Sequence, residues 1–212
     1  TSQIGINVFN PFGISELSTG TICGSLPVNN SVIGTGITSR TFGSLSSSKI
    51  ALGLNKPMGK DLSIGLGLAF RFIKTKTPEY ANRRYLTFSV GCTYNINKDF
   101  TIGYVLMNPT RTKITKHPEE RSSAFSAFGF KYQIDGQIKL FAEVQHATYH
   151  QFTFHAGLEY ERNEIDVRIG INTLRSVSFG IGKCTKFGEI NASISSHIQL
   201  GYSPSFELNY AK

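Results

Sequence analysis

The chain has 212 residues, a formal net charge of +8 and only 17% charged residues, fewer than the roughly 25% of ordinary soluble domains. Its mean hydropathy of −0.12 excludes a bundle of transmembrane helices, and no stretch approaches the roughly 18 consecutive apolar residues that a spanning helix requires. The basic residues are scattered along the chain rather than clustered, which argues against nucleic-acid binding and is compatible with anionic lipid head groups or lipopolysaccharide as partners.

In chain order, the segments near residues 2–9, 17–26 and 30–41 are predicted strands with an irregular pattern. From Lys49 onwards, apolar residues alternate with small or polar ones. Because side chains of a strand point to opposite faces in turn, such a segment has one apolar and one small or polar face. The apolar positions are Ile50, Leu52, Leu54; Leu62, Ile64, Leu66, Leu68, Phe70, Phe72; Leu86, Phe88, Val90, Cys92, Tyr94, Ile96; Phe100, Ile102, Tyr104, Leu106; Phe128, Phe130, Tyr132, Ile134; Ile138, Leu140, Ala142, Val144; Phe152, Phe154, Ala156, Leu158, Tyr160; Ile165, Val167, Ile169, Ile171; Val177, Phe179, Ile181; Ile190, Ala192, Ile194; and Phe206, Leu208, Tyr210.

The residues that alternate with the apolar ones decide between two all-β architectures. In a soluble sandwich these residues face water and are rich in Lys, Glu, Asp and Arg, whereas here they are mostly Gly, Ser, Thr, Asn and Ala. In a membrane barrel the apolar parity faces lipid and the other lines an interior with limited room. The sequence therefore predicts an all-β fold, a transmembrane antiparallel up-and-down β-barrel of about fourteen strands, with twelve as the alternative, in a single domain 1–212.

The connections between the predicted strands support this topology. Transmembrane barrels have short periplasmic turns and longer outer loops in alternation. If both termini are periplasmic, the longest connections, Asn108–Glu120 and Thr75–Arg83, fall outside, and the Asp135–Gly136 turn falls inside. The connection Lys183–Glu189 departs from the rule because it is long and falls inside.

Charged residues on the inward parity are the candidate lumen residues. Opposite signs on consecutive strands predict cross-strand pairs, and two interpretations stay open: a salt-bridged, filled lumen or a selective, water-filled pore. The predicted lumen-lining charges are Arg71, Lys131, Lys139, Glu143, Glu159, Glu161, Asp166, Arg168 and Glu207. In the long outer loop, the candidates for contact with a partner are Arg111, Lys113, Lys116 and His117.

Several motifs resemble those of known outer-membrane proteins. The last strand, with Phe206, Leu208 and Tyr210 at alternate positions, resembles the aromatic-terminated strand that outer-membrane assembly machinery reads. The runs Asn10–Ile14, Glu16–Ser18, Gly103–Pro109 and Leu200–Pro204 resemble small barrels of Bacteroidota, which are distantly similar to the fatty-acid-transporter group and to PorV-type subunits of type IX secretion. The chain departs from the fatty-acid-transporter pattern in that strand-like sequence begins almost at once, without an N-terminal hatch. The sequence opens at Thr1 without Met, as expected of a precursor whose signal peptide has been removed and equally of a trimmed chain.

No catalytic or metal-binding pattern emerges. His146, His150 and His155 have no Cys or carboxylate that completes a tetrahedral set, and three cysteines without a CxxC pair are neither a disulfide framework nor a zinc signature. His197 shares a face with Ser193 and Ser195 at nearly 7 Å per two residues, too far for direct nucleophile activation. The chain is thus predicted to be a non-enzymatic outer-membrane protein of a Gram-negative bacterium without cofactors. Its predicted role is that of a partner subunit of a larger outer-membrane complex for secretion, assembly or uptake; the alternative is a channel or transporter for small or hydrophobic solutes.

Overall fold

The chain folds into a closed antiparallel β-barrel. A computed structural model describes residues 2–43, 45–75, 82–115, 119–174 and 176–211. No helix in these ranges is long and apolar enough to span a bilayer. The strands are β1 (Gln3–Phe9), β2 (Thr19–Val28), β3 (Ser31–Phe42), β4 (Leu45–Met58), β5 (Leu62–Thr75), β6 (Arg83–Asn95), β7 (Phe100–Met107), β8 (Lys113–Thr115), β9 (Glu120–Arg121), β10 (Phe125–Asp135), β11 (Ile138–Ala147), β12 (Thr153–Arg162), β13 (Ile165–Asn172), β14 (Ser176–Thr185), β15 (Gly188–His197) and β16 (Gly201–Ala211).

Fourteen of these strands form the barrel wall, which confirms the predicted fold class and strand number. Neighbouring strands in sequence pair with each other, β7 pairs with β10, and the separate hairpin β8–β9 lies in the connection between them. The barrel closes between β1 and β16, where Gln3 lies opposite Ala211 and Phe9 opposite Ser205. Closure leaves the wall without an unpaired edge strand, as a lipid environment requires.

Apolar side chains cover the outside of the barrel, not its interior. On β5, the exposed fractions of Leu66, Leu68 and Phe70 are 59%, 53% and 44%. Among the described residues, the only hydrophobic side chains that are buried belong to Tyr85 and Ala127, both on the inner wall. A soluble sandwich buries its apolar parity between two sheets. The inverted arrangement is that of a lipid-facing barrel.

Basic side chains stand outside the apolar band at both of its edges. At the end of the barrel with the long connections, Arg84 and Lys74 lie over the Phe72 ring, at 5.0 and 5.4 Å from its centroid. At the opposite edge, the outward register positions next to short turns hold Lys56, Arg162 and Lys183. These five basic side chains thus border the apolar band at both of its edges, at the depth where the head groups of a bilayer would lie.

The two ends of the barrel differ in the lengths of their connections. Both termini lie at the turn end, where every connection between described strands has two to four residues. At one of the two-residue turns, Asp135 Oδ1 accepts hydrogen bonds from the backbone N–H groups of Gln137 and Ile138, both at 3.1 Å. The opposite, loop end carries the longest connections, including residues 108–124. The turn end therefore has only short connections, as predicted, whereas the loop end has the long ones together with short ones such as that between Phe42 and Leu45.

The predicted long connection Lys183–Glu189 is wrong. Strand β14 continues to Thr185 and β15 starts at Gly188, so that only residues 186–187 form the turn. The charged and thiol side chains of this segment break the apolar alternation, but the backbone pairing continues through Cys184 opposite Glu189. With this correction, the turn end has no exception to the length rule.

Two of the sequence motifs that carry the family resemblance meet at the closing seam. Residues 10–18 form two short 3-10 turns, Pro11–Gly13 and Ser15–Leu17, at the loop end between β1 and β2. The backbone N–H of Phe12 donates to Ser203 Oγ at 2.9 Å, and that of Asn10 donates to the Pro204 carbonyl at 3.0 Å. These contacts join the motif near the start of the chain to the one at the start of the last strand.

The longest connection has an internal structure of its own. Asn108, which is 3% exposed and has a φ of 52°, organises it. Its Nδ2 donates to the carbonyls of Ser122 and Ser123, both at 3.1 Å, and its Oδ1 accepts from Thr112 Oγ1 at 2.9 Å. Its backbone N–H donates to the Phe88 carbonyl at 2.7 Å and so fixes the loop to β6. The loop is thereby held together at its base.

Candidate functional site: the barrel lumen

The inner wall encloses open space. Two cavities of about 880 and 910 Å3 lie inside the barrel, and their walls share Asn55, Gly65, Gly91 and Val105. Each has the size of a small-molecule site, and the shared residues show that the two cavities adjoin inside the barrel. Of the two interpretations that the sequence leaves open, the described residues favour an interior with room for a solute.

Small inward residues account for this space. Gly34, Gly53 and Gly67 lie opposite one another on β3, β4 and β5, while the leucines beside them point outwards. Around the shared part of the lumen, Gly65 lies opposite Gly91, and Gly103 opposite Gly129. Without side chains, these positions leave the central lumen to solvent or solute.

An ion-pair network, centred on Arg168, lines one wall near the turn end. The Arg168 guanidinium donates to Glu159 Oε2 at 2.9 Å, to Glu189 Oε1 at 2.9 Å and to Asn191 Oδ1 at 3.0 Å. Asp166 Oδ1 lies 2.8 Å from the Nε of Arg168, but the Nε–H group donates its hydrogen bond to Glu159. Asp166 is 5% exposed, so Arg168 is the cation that compensates its charge.

Lys139 extends the network along the same wall. Its Nζ lies 2.8 Å from Glu159 Oε1 and 3.0 Å from Glu161 Oε2. Counted together, Lys139 and Arg168 face four carboxylates (Glu159, Glu161, Asp166 and Glu189), which leaves a net charge of −2 on this wall.

The network depends on a glycine in the wall behind it. A Cβ on Gly182 would collide with Asp166 Oδ2 and Asn191 Oδ1. Any side chain at this position would displace the groups that Arg168 binds. Gly182 therefore permits the close approach that the network needs.

The structure places all nine predicted lumen charges on inward positions, with different partners. Six of them lie at the two ends of the barrel. Arg71 lies at the loop end, opposite Lys49. The other five belong to the ion-pair network near the turn end: Lys139, Glu159, Glu161, Asp166 and Arg168. Glu207 accepts from Asn209 Nδ2 at 2.6 Å, and Glu143 accepts from Gln145 Nε2. Lys131 lies opposite Thr101 near the turn end and lines the 880 Å3 cavity.

On the described strands, the lumen cations that the sequence candidates do not include are Arg40 on β3, Lys49 on β4 and Arg83 on β6, of which Arg83 pairs with Glu120. Lys49 lies directly opposite Arg71 on β5 and opposite Thr38 on β3, and Arg40 is two residues further along β3. All three lie in the loop-end half of their strands. The sequence does indicate that Lys49 points inwards, because it alternates with the apolar Ile50. Its position opposite Arg71 depends on the pairing of β4 with β5, which the sequence pattern does not show.

The predicted contact residues of the long loop have internal partners where they are described. The Arg111 guanidinium lies over the Tyr149 ring, 5.0 Å from its centroid, and donates to the Tyr149 hydroxyl. Lys113 Nζ lies 2.9 Å from Glu119 Oε2. Hydrogen bonds from Lys113 and Arg121 lower the pKa of the Glu119 carboxyl. Lys116 and His117 lie outside the described residues.

The predicted assembly signal lies on the outer face of the last strand. Phe206, Leu208 and Tyr210 are exposed on β16 and lie opposite Val8, Ile6 and Ile4 of β1. They belong to the lipid-facing surface at the closing seam. Their recognition by assembly machinery stays a prediction.

Histidines and cysteines form no reactive constellation in the described part of the chain. His146 stacks on Phe152 with centroids 4.5 Å apart, and His197 Nδ1 accepts from the Gln199 N–H at 3.2 Å, so neither is poised to activate a serine. No group of three His, Cys, Asp or Glu side chains in the described ranges could hold a metal ion. Cys23, Cys92 and Cys184 are free and exposed.

Several solved outer-membrane channels have a similar fold. The toluene transporter TodX of Pseudomonas putida matches with a TM-score of 0.68 and 11% identity over 98% of this chain and 87% of TodX. The monoaromatic hydrocarbon channel CymD matches with a TM-score of 0.69 and 10% identity over 100% and 88% of the two chains. A FadL homologue of Pseudomonas aeruginosa matches with a TM-score of 0.68 and 11% identity over 98% and 89%.

In its fold the chain is similar to these FadL-like outer-membrane barrels. At such low identity the likeness extends to the fold alone. No protein-family model matches the sequence, and no curated protein is similar to it. A closed barrel that encloses two cavities fits the alternative hypothesis, a channel, better than the partner-subunit role that the sequence suggested first.

Proposed function

We propose that this protein is an outer-membrane channel through which small solutes cross by diffusion. The observation that carries the proposal is the pair of adjoining cavities, about 880 and 910 Å3, inside a closed, lipid-facing wall. TodX is a toluene transporter and CymD is a monoaromatic hydrocarbon channel, so small organic molecules are the first solute class to test.

In this proposal the turn end, with both termini, faces the periplasm, and the long loops face outwards. Short periplasmic turns and longer outer loops are the common arrangement of bacterial outer-membrane barrels. Outward-pointing Lys74 and Arg84 then contact lipopolysaccharide phosphates, and Lys56, Arg162 and Lys183 contact phospholipid head groups of the inner leaflet.

Single-channel recording in planar bilayers tests the function. The purified protein is expected to give steady open-channel current steps. Gly65 provides a sharp variant, because a Cβ there meets its nearest neighbours at 3.9 Å and a larger side chain extends into the region that the two cavities share. Gly65→Tyr is therefore expected to lower the conductance.

Leu66→Tyr is the matched control, since the adjacent residue points to lipid and is 59% exposed. It is expected to conduct like the wild type. A folded protein without current steps would refute the channel. Equal conductance of both variants would show that current does not pass through this lumen.

The partner-subunit hypothesis predicts a different result. Purification in mild detergent would then recover a larger outer-membrane protein in a fixed ratio, and the isolated barrel would be electrically silent. The described outer wall is apolar on every barrel strand, which lipid alone satisfies. The channel therefore remains the first proposal.

A further inference from the structure

Three like charges lie next to one another on the inner wall at the loop end. Arg40, Lys49 and Arg71 occupy the neighbouring strands β3, β4 and β5, and we call them the cationic triad. Lys49 and Arg71 are directly opposite each other, a position in which side chains start only about 5 Å apart. Like charges in this position destabilise a sheet. Their placement therefore needs a compensating role.

No carboxylate compensates the triad among the residues that the structure describes. The ion pairs in these ranges involve Arg83, Lys113, Arg121, Lys139 and Arg168. The Nε of Arg40 donates to the neutral Thr19 Oγ1 at 3.2 Å. This differs from the opposite wall, where Arg168 is surrounded by acidic side chains. The triad is a set of cations that lacks anions.

The triad borders open space. Lys49 and Arg71 are half-buried and line the 910 Å3 cavity, together with Thr38, Ala51 and Ala69. Ala51 and Ala69 follow the two cations along their strands towards the centre of the lumen and lie opposite each other. A solute at this wall would thus meet two cationic groups at one end and a small apolar surface at the other.

We propose that the cationic triad is a binding subsite for organic anions, namely small solutes that carry one carboxylate or sulfonate on an apolar body. The inference rests on the proposed channel function and names the solute class of that lumen. An arginine fork binds a planar carboxylate through two parallel hydrogen bonds, and a neighbouring lysine adds a mobile point charge. The two alanines contact the apolar body.

The charge distribution along the lumen supports an anion subsite near the loop end. The triad contributes three positive charges there, while the Arg168 wall near the turn end has two cations for four carboxylates. An anion that enters from the loop end is attracted to the triad and repelled by the second region. It therefore spends the longest time at the triad.

The test compares three probes of similar size in planar bilayers: benzoate, benzylammonium and the neutral benzyl alcohol. Benzoate is expected to reduce the wild-type single-channel current at concentrations at which the other two have little effect. In the double variant Lys49→Gln/Arg71→Gln, the benzoate concentration for half block is expected to rise roughly tenfold or more, as loss of charged hydrogen bonds implies.

Lys131→Gln is the matched control, because it removes one inward positive charge from the lumen far from the triad. It is expected to keep the wild-type response to benzoate. The double variant is expected to fold at least as well as the wild type, since it removes a repulsion between opposite residues. Its heat-induced shift in gel mobility checks this.

The outcomes separate the two proposals. Open-channel steps with equal benzoate block in wild type and double variant would overturn the subsite and leave the channel intact. A loss of block in Lys131→Gln of the same size would also overturn it. A protein without current steps would refute the channel; calorimetric titration of benzoate into wild type and double variant in detergent would then decide the subsite independently.

Discussion

Arg168 is the residue whose replacement tests the lumen network most sharply. Arg168→Met keeps much of the aliphatic stem and removes the charge and the hydrogen bonds to Glu159, Glu189 and Asn191. Asp166, which is 5% exposed, then has no cation within ion-pair distance among the described residues. The variant thus leaves a buried carboxylate uncompensated.

The size of the effect follows from burial. Breaking a buried ion pair by removing one partner costs about 3–5 kcal/mol. The Arg168 side chain is 39% exposed, so that water screens part of the interaction. We therefore expect Arg168→Met to lower the free energy of unfolding by about 1–3 kcal/mol.

The measurement is urea unfolding of the barrel in lipid vesicles, followed by tyrosine fluorescence. Lys131→Met is the control, because this inward lysine has no ion pair among the described residues, and it is expected to change the free energy by no more than about 0.5 kcal/mol. Asp166→Asn, added to Arg168→Met, is expected to restore part of the loss because it removes the uncompensated charge. An Arg168→Met variant as stable as the control would refute this reasoning.

Three further predictions concern the outer wall and the long loop. Leu68→Arg, near the middle of β5 on the lipid side, is expected to cost about 2–4 kcal/mol of unfolding free energy in vesicles; a cost near zero would contradict the lipid-facing assignment. Asn108→Ala removes the hydrogen bonds that close the loop at residues 108–123 and is expected to speed trypsin cleavage at Arg111, with unchanged cleavage as the opposing result. Because Lys113 and Arg121 lower the pKa of Glu119 below its usual 4.5, their ion pairs are complete above that value and are lost as the pH falls through the lowered pKa; carbon NMR titration is expected to show the lowered value and its return towards normal in Lys113→Gln.

The barrel wall could be predicted from the sequence because its physical signal is local. On β5, apolar residues alternate with small or polar ones from Leu62 to Phe72, so that the type of each residue indicates whether it points outwards or inwards. The same holds on the strands that follow. Lipid on one side and limited room on the other select apolar and small residues in strict turn. Strand number and the inward side of the nine charges follow from this alternation.

Contacts between strands could not be predicted in the same way. Lys49 shares the inward parity with Ala51, but its position opposite Arg71 depends on the register of β4 and β5. Glu189, a partner of Arg168, was assigned to a turn because Lys183 and Cys184 interrupt the apolar pattern. The register describes how two strands pair, and the residue pattern of a single strand does not determine it.

The open lumen and the order of the long loop depend on three-dimensional packing. Composition shows that glycines are abundant, but only the paired strands show that Gly34, Gly53 and Gly67 lie side by side. Likewise, Asn108 in an Asn-Pro pair predicts a turn, whereas its contacts with Ser122 and Ser123 need the loop to fold back. The cavities inside the barrel and the ordered structure of the long loop could therefore not be predicted from the sequence.

The outward side chains of the wall are expected to contact lipid, and the inward side chains are expected to contact water. Nitroxide labels at Leu68, Ala69 and Phe70 in vesicles test this expectation through collisions with oxygen and with a water-soluble nickel chelate. We expect oxygen to dominate at 68 and 70 and the chelate to dominate at 69, which lines the 910 Å3 cavity. A label at 69 that the chelate cannot reach, or equal accessibility at all three positions, would contradict the account.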